Sequence, residues 1–396
     1  MIKNILHFSL TIVITFLMML KTGCQPDGRI IPGAERTDAY LSMIKGKKIA
    51  LAANQTSLIG PVHLLDSLIS LGIDVVRIFC PEHGFRGDID DGVLVMDEID
   101  SKTGIPVRSL YQENLKPDKS DLEDIDFVIF DIQDVGVRFY TFISTLHYIM
   151  QACAENNTPL IVLDRPDPHG FYIDGPVLEP EFASFVGMHK VPVVYGMTIG
   201  EYALMINGEG WLGEGLKCDL TVIPCRNYDH QSKYDLPVKP SPNLPTMNSI
   251  YLYPSLCFFE GTALSVGRGT DFPFEVFGHP DLANCEFTFI PESKPGSDSN
   301  PRLKGEKCYG IDLRNFRDLG HERSAKLDLQ WLMFAYSQFP DKDKFFNDYF
   351  EKLSGNTILR KQIIMGLTED EIRESWKDDL EKFQVIRRKY LLYRDF

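Results

Sequence analysis

The sequence predicts an α/β fold, with a mostly parallel sheet and helices on both of its faces. Two observations carry this. Across residues 47–163, short apolar runs rich in β-branched residues alternate with longer stretches of helical spacing, the pattern of βαβ units. Each apolar run also stops at a cluster of polar and charged residues, so the chemistry falls at strand ends and not at strand starts. In open α/β sheets that is the edge where ligands bind.

The first strand spans residues 47–53 and runs into Asn54-Gln55-Thr56-Ser57. Residues 62–71 have the spacing and length of a helix, with Gly72 as its stop. The second strand, residues 73–80, enters Pro81-Glu82-His83-Gly84-Phe85-Arg86-Gly87-Asp88, which groups a carboxylate, an imidazole and a guanidinium. A third strand at 126–130 leads into Asp131-Ile132-Gln133-Asp134-Val135-Gly136-Val137-Arg138, and a helix follows from about 139 to 155. The fourth strand, 158–163, ends in Asp164-Arg165-Pro166-Asp167-Pro168-His169-Gly170. A plainer reading of the same residues stays open. Asp131 and Asp134 are natural helix caps, Arg138 and Arg165 are natural ion-pair partners for them, and His63, His147 and His169 suit structural roles.

Residues 1–23 have the form of an export signal, with Lys3 in the basic leader and an apolar run at 12–20. The Gly23-Cys24 junction resembles a lipoprotein processing site, so a lipid anchor through Cys24 is expected, although Lys21 stands where such signals usually carry an aliphatic residue. An ordinary cleaved signal or a single membrane anchor are the alternatives. In each case the body is exported, to the periplasm or to a membrane-anchored position. The body exceeds 370 residues, enough for two domains. Loss of Lys3 and Lys21 takes the net charge from −15 to −17, which argues against nucleic acid as a partner. Seven cysteines besides Cys24, with no close pair spacing, exclude a dense disulfide framework and supply no metal motif. Cys218 and Cys225 flank a strand, where pairing and buried free thiols are both open; Cys80 belongs to the core.

Several chemistries lack their signature. Asn54-Gln55-Thr56-Ser57 stands where a dinucleotide-binding glycine loop would sit, and there is no phosphate loop, G-x-S-x-G elbow or H-E-x-x-H motif. No cofactor and no metal are expected. The second half begins with Lys239-Pro240-Ser241-Pro242-Asn243-Leu244-Pro245-Thr246, a stiff segment suited to a domain crossover. Tyr251-Leu252-Tyr253-Pro254, Glu260-Gly261-Thr262 and Val266-Gly267-Arg268-Gly269-Thr270-Asp271 follow. Glycines on both sides of Arg268 let the backbone turn tightly and project a guanidinium, the natural fork for a carboxylate. The simpler alternative is a turn in which Arg268 pairs with Asp271 or Glu275. Aromatic residues make up 11% of the chain, which serves a sugar cleft and a core equally well. From about residue 325 the chain is helical and charged, with an amphipathic stretch at 327–339, a helix start at 369–372, and Trp376 and Phe383 on one face. These are expected to be packing helices of the second domain.

Taken together, Asn54-Gln55-Thr56, Pro81-Glu82-His83-Gly84, the 131–141 segment through Phe139-Tyr140-Thr141, Leu163-Asp164-Arg165-Pro166, Ser241-Pro242-Asn243-Leu244-Pro245-Thr246, Glu260-Gly261-Thr262 and Gly267-Arg268-Gly269-Thr270-Asp271 resemble the exo-β-N-acetylmuramidase (NamZ-type) glycoside hydrolase family. The resemblance runs from about Lys47 onward. It implies a Rossmann-like, mostly parallel sheet domain at 27–238 and a smaller α+β domain at 239–396, with the active-site cleft between them. It also implies release of terminal N-acetylmuramic acid from the non-reducing ends of peptidoglycan fragments, a substrate that fits an exported protein.

Glycoside hydrolysis typically uses one carboxyl group to protonate the leaving oxygen and another to activate water or attack carbon. The acid must keep its proton near neutral pH, which an apolar cleft promotes. Glu82, flanked by Pro81 and Phe85, is the expected acid/base. Asp131, Asp134, Glu260 and Asp271 compete for the second role, with Asp131 and Glu260 placed first. Muramic acid differs from glucosamine by a lactyl ether bearing a carboxylate, so a cation is expected in the site, either Arg268 or Arg138. His83 orients Glu82 or touches the sugar. Asn54, Arg86, Asp134, Tyr140, Asp164, Arg165, Asn243 and Asp271 complete the candidate binding residues. Two rivals stand beside this reading: a lipoprotein that binds peptidoglycan fragments without cutting them, and a wall amidase or esterase.

Overall fold

The computed structural model describes residues 28–82, 84–85, 97–112, 114–213, 215–282, 284–321 and 324–396. The signal-like segment with Cys24, and the candidate site residues His83 and Arg86, lie outside these. Strands β1 (Lys48–Ala53), β2 (Asp74–Cys80), β3 (Glu98–Ile99), β4 (Pro106–Ser109), β5 (Phe127–Asp131), β6 (Leu160–Leu163) and β7 (Leu220–Ile223) form a seven-stranded sheet in the order β3-β4-β2-β1-β5-β6-β7. All neighbours run parallel except β3 and β4. From β1 the chain builds outward to one side through β2 and β4, then crosses back to β5 on the other. That reversal opens a crevice at the carboxyl ends beside β1, between the loops that follow β2 and β5.

The strands read as unbroken apolar runs because both faces of the sheet are covered. Ile49 to Ala53, Ile129, Phe130 and Leu160 to Leu163 are all fully buried. On one face Ile49, Leu51, Ile78 and Ile161 pack under helices α1 (Thr37–Ile44) and α2 (Leu64–Ser70). On the other, Ala52, Phe130 and Val162 meet α3 (Phe142–Asn156) and α4 (Ile199–Gly208).

The helix expected over 62–71 starts at Leu64, because Val62–His63 pairs antiparallel with Leu58–Ile59. The His63 ring then caps the helix, Nδ1 accepting from the Leu65 amide at 3.2 Å. An acceptor at Nδ1 puts the proton on Nε2, which donates to the Asn54 carbonyl at 2.9 Å. His63 is therefore a structural residue. Likewise α3 starts at Phe142 and not at 139.

The second region is α+β. Helix α5 (Met247–Leu256) leads to a three-stranded antiparallel sheet of β8 (Val276–His279), β9 (Phe287–Phe289) and β10 (Cys308–Asp312), with β10 in the centre. The C-terminal helices pack on the second region, where Trp331 meets Phe316 and Phe339 meets His279, and they also reach beyond it. α6 (Gln330–Gln338), α7 (Ile358–Met365) and α8 (Lys377–Arg387) contribute Leu332, Ile363 and Phe383 to the same apolar core as Phe130 and Val162 of the large sheet. Polar ties reinforce that return. Arg373 clamps Asp174, with Nη1–Oδ1 at 2.8 Å and Nη2–Oδ2 at 2.7 Å. Arg387 donates twice to the Gly196 carbonyl, and Tyr393 donates to Asp164. Cys218 and Cys225 are buried free thiols, and Cys80 sits in the core.

Candidate active site

Glu82 is carried by a tight turn at the end of β2. The Gly84 amide donates to the Pro81 carbonyl at 3.1 Å, and Gly84 has φ of +75°, a conformation that favours glycine. Phe85 anchors the turn by packing edge-on against the His63 ring, centroids 4.9 Å apart. Glu82 Oε2 accepts from the Thr141 hydroxyl at 3.2 Å, and Thr141 is the residue that opens α3. The β2 and β5 loops thus meet at this carboxylate.

The crossover segment lies across both loops. Gln55 Nε2 donates to the carbonyls of Lys239 and Pro240, at 3.3 and 3.1 Å, and the Tyr140 hydroxyl donates to Pro240 at 2.7 Å. Asn243 is brought over the cleft and fixed to Ser297 through two hydrogen bonds. Past α5, a 3-10 turn (Cys257–Gly261) presents Glu260. Gly261 is required here by close approach, since a Cβ would lie 2.5 Å from Phe350 Cα. Arg268 Nε donates to Glu260 Oε1 at 2.6 Å, and its guanidinium stands 5.2 Å from the Phe274 ring centre. Gly267 and Gly269 on either side have φ of +79° and +78°, the tight turn anticipated from their spacing.

These groups line one cavity of about 340 Å³. Glu82, Thr141, Asn243, Glu260, Arg268 and Arg302 supply its polar features, and Tyr111, Phe139, Tyr140, Phe142, Phe185, Tyr253, Phe274 and Tyr349 form aromatic walls. Of the candidate site residues, Glu82, Glu260, Tyr140, Asn243 and Arg268 are gathered here. Arg268 takes Glu260 as its partner, not Asp271 or Glu275.

The other described candidates stand elsewhere. Asp131 is fully buried and held by Arg165 through two hydrogen bonds. Asn54 is buried, its Oδ1 accepting from the amide and hydroxyl of Thr56. Asp134 is buried against the Tyr195 hydroxyl and the Gly136 amide, and burial pushes its carboxyl up to about 6. Asp164 accepts from Thr198, Gly200, Arg165 and Tyr393, and burial, outweighing those donors, pushes it up to about 7. Arg138 is fully buried, its two Nη atoms donating to the carbonyls of Pro176, Val191, Leu353 and Ser354 at 2.7–3.0 Å. Burial lowers it to about 9. It stiffens the wall behind Leu353 and does not line the cavity. Asp271 is at the surface, its side chain 89% exposed and paired with Lys294.

Sequence reasoning passed over Thr141, Phe185, Tyr349 and Arg302 as site residues. Thr141 stood within a quoted motif. Arg302 had no local signal, because it reaches the cavity through tertiary packing alone. Among the described residues no three His, Cys, Asp or Glu side chains converge in a way that could hold a metal ion.

Comparison with known proteins identifies the family. Residues 49–248 match the family described as exo-beta-N-acetylmuramidase NamZ, N-terminal, and residues 251–393 match its C-terminal counterpart. The chain is 39% identical over 374 residues to the peptidoglycan beta-N-acetylmuramidase NamZ of Bacillus subtilis (strain 168), covering 89% of each protein. Crystal structures of two DUF1343 family proteins from Bacteroides fragilis NCTC 9343 share the fold. One is 46% identical with a TM-score of 0.87, the other 29% identical with a TM-score of 0.79, and each alignment covers 93% of this chain and 100% of the other. With both modules matched in order around a single cleft, the chain belongs to the exo-β-N-acetylmuramidase NamZ family.

Proposed function

We propose that this protein is an exo-acting glycoside hydrolase that releases terminal N-acetylmuramic acid from the non-reducing ends of peptidoglycan fragments, with Glu82 as acid/base and Glu260 as the second carboxylate. The observation that carries the assignment of roles is that Glu82 and Glu260, from the two halves of the fold, line the same aromatic-walled cavity. Asp131, Asp134 and Asp271, the other contenders, do not line it.

In this reading Glu82 protonates the departing glycosidic oxygen, and the Thr141 hydroxyl and the Phe85-anchored turn fix its direction. Glu260, oriented by Arg268, activates water or attacks the anomeric carbon. The aromatic walls present flat apolar surface to the sugar ring. A protein that only binds muramyl fragments has no need of two such carboxylates. Export, with a lipid anchor at Cys24, is part of the proposal and is supported by the signal-like residues 1–23 and the Gly23-Cys24 junction.

The test is release of nitrophenol from 4-nitrophenyl β-N-acetylmuramide, with the matching β-N-acetylglucosaminide run in parallel. Release from the muramide alone is expected. Tight binding of muramyl fragments without any release would transfer the protein to the class of binding lipoproteins.

A further inference from the structure

Arg302 and the chamber beside it are not accounted for by the roles above. Glu260, Arg268 and Arg302 also line a second chamber of about 450 Å³, together with Ser265, Asp298 and Asn300. Arg302 therefore stands at the junction of the two spaces. Its position depends on Gly269: a Cβ there would lie 2.5 Å from Pro301 Cγ, so only a glycine lets Pro301 settle and bring Arg302 beside Arg268.

Arg268 and Arg302 are the cations among the described residues that line the cavity with Glu82. They are not equivalent. Arg268 is engaged with the Glu260 carboxylate at 2.6 Å and lies over Phe274. Its charge is therefore already balanced by a carboxylate of the protein. Arg302 makes one hydrogen bond, Nη2 to the Glu260 backbone carbonyl at 3.1 Å. That contact ties it to the site and leaves a guanidinium edge for a ligand, because the group carries five N–H donors. The side chain is exposed at the cleft, so a substrate can reach it.

We infer that Arg302 is the residue that selects muramic acid, pairing with the lactyl carboxylate while the second chamber receives the lactyl ether. The inference rests on the muramidase reading and deepens it. Arg268 then remains a positioning residue for Glu260. A glucosaminide, lacking the lactyl arm, leaves Arg302 unengaged.

The test compares 4-nitrophenyl β-N-acetylmuramide with its lactyl methyl ester, which keeps the shape and removes the charge. The wild-type protein should prefer the acid by about 10- to 100-fold in kcat/KM, the range of a charge-assisted hydrogen bond, with the difference carried in KM. In Arg302→Gln the acid-to-ester ratio should collapse toward unity, and Arg302→Lys should keep an intermediate preference. Arg268→Gln should instead lower both substrates together and alter the pH dependence of kcat, because it acts through Glu260. An unchanged acid-to-ester ratio in Arg302→Gln, or a parallel loss on both substrates at an unchanged melting temperature, overturns the inference. If Arg302→Gln does not fold, Arg302→Lys is scored alone, and a wild-type ratio there overturns the guanidinium's role. A wild-type protein that releases nothing from either substrate overturns the muramidase reading itself, before any variant is compared.

Discussion

Arg165 grips Asp131 side-on, with Nε to Oδ1 at 2.6 Å and Nη2 to Oδ2 at 2.8 Å, and the two side chains are 3% and 0% exposed. Asp131 ends β5 and Arg165 follows β6, so the pair pins together the carboxyl edges of two adjacent strands. A candidate catalytic carboxylate and a candidate binding residue thus form a buried structural fastener.

Removing one partner leaves an uncompensated buried charge, which typically costs 3–5 kcal/mol. Asp131→Asn and Arg165→Met should each lower stability by about that amount in urea titrations, whereas Asp131→Leu/Arg165→Met recovers part of it. Asp131→Asn should keep near-normal kcat in its folded fraction. A thousandfold loss of kcat with full folding would place Asp131 in the chemistry.

Glu82→Gln removes the proposed acid/base while keeping shape. Loss of at least 10²- to 10⁴-fold in kcat is expected, with the melting temperature unchanged. Thr141→Val removes only the hydroxyl that orients Glu82. A smaller loss of kcat, with little change in KM, is expected from steady-state kinetics.

Asp134 makes stability depend on pH in a defined direction. Burial raises its carboxyl from 3.8 to about 6, against the opposing hydrogen bonds from Tyr195 and Gly136. The folded protein therefore holds this proton more tightly than the unfolded chain does. Between about pH 4 and 6 the unfolded state ionises first, so the contribution of this group to stability falls as pH rises and then levels off. Asp134→Asn cannot ionise. Its stability relative to wild type should improve by about 3 kcal/mol across that window, read from denaturant titrations at each pH.

The C-terminal residues should matter to the large sheet although they are distant from it in sequence. Tyr393 donates to Asp164, and its hydroxyl also accepts from the Cys225 amide at 2.7 Å. Tyr393→Phe leaves that buried amide and the Asp164 carboxyl each short of a partner, at a cost of about 1–3 kcal/mol. Scanning calorimetry should show the whole molecule melting earlier as one transition, because the terminal helices share its principal core. A separate early transition would mean that the C-terminal part unfolds independently.

The four central strands, the parallel sheet and the edge that carries the polar clusters were legible in the sequence by itself, whereas the edge strands β3 and β4 and the antiparallel strands β8 to β10 were not. A doubly covered strand writes itself as an unbroken β-branched run, and a tight turn such as Gly267-Arg268-Gly269 writes itself as glycine, because both are set by local sterics and burial. Glu82 was equally legible, since the chain order of a parallel sheet already puts its loop at the ligand-binding edge. The tertiary structure alone decided which charges face the cleft. Asp131, Asp134, Arg138, Asp164 and Arg165 follow strands on the same edge of the sheet as Glu82, yet each is buried against partners. Asp131 finds Arg165 34 positions away, Asp164 finds Tyr393 229 positions away, and Arg138 reaches the carbonyl of Ser354, 216 positions on. Arg302 enters the site only because Pro301 packs on Gly269. Whether a charge serves chemistry or holds the fold depends on its desolvation and its partner, and both are properties of contacts that a linear chain does not display.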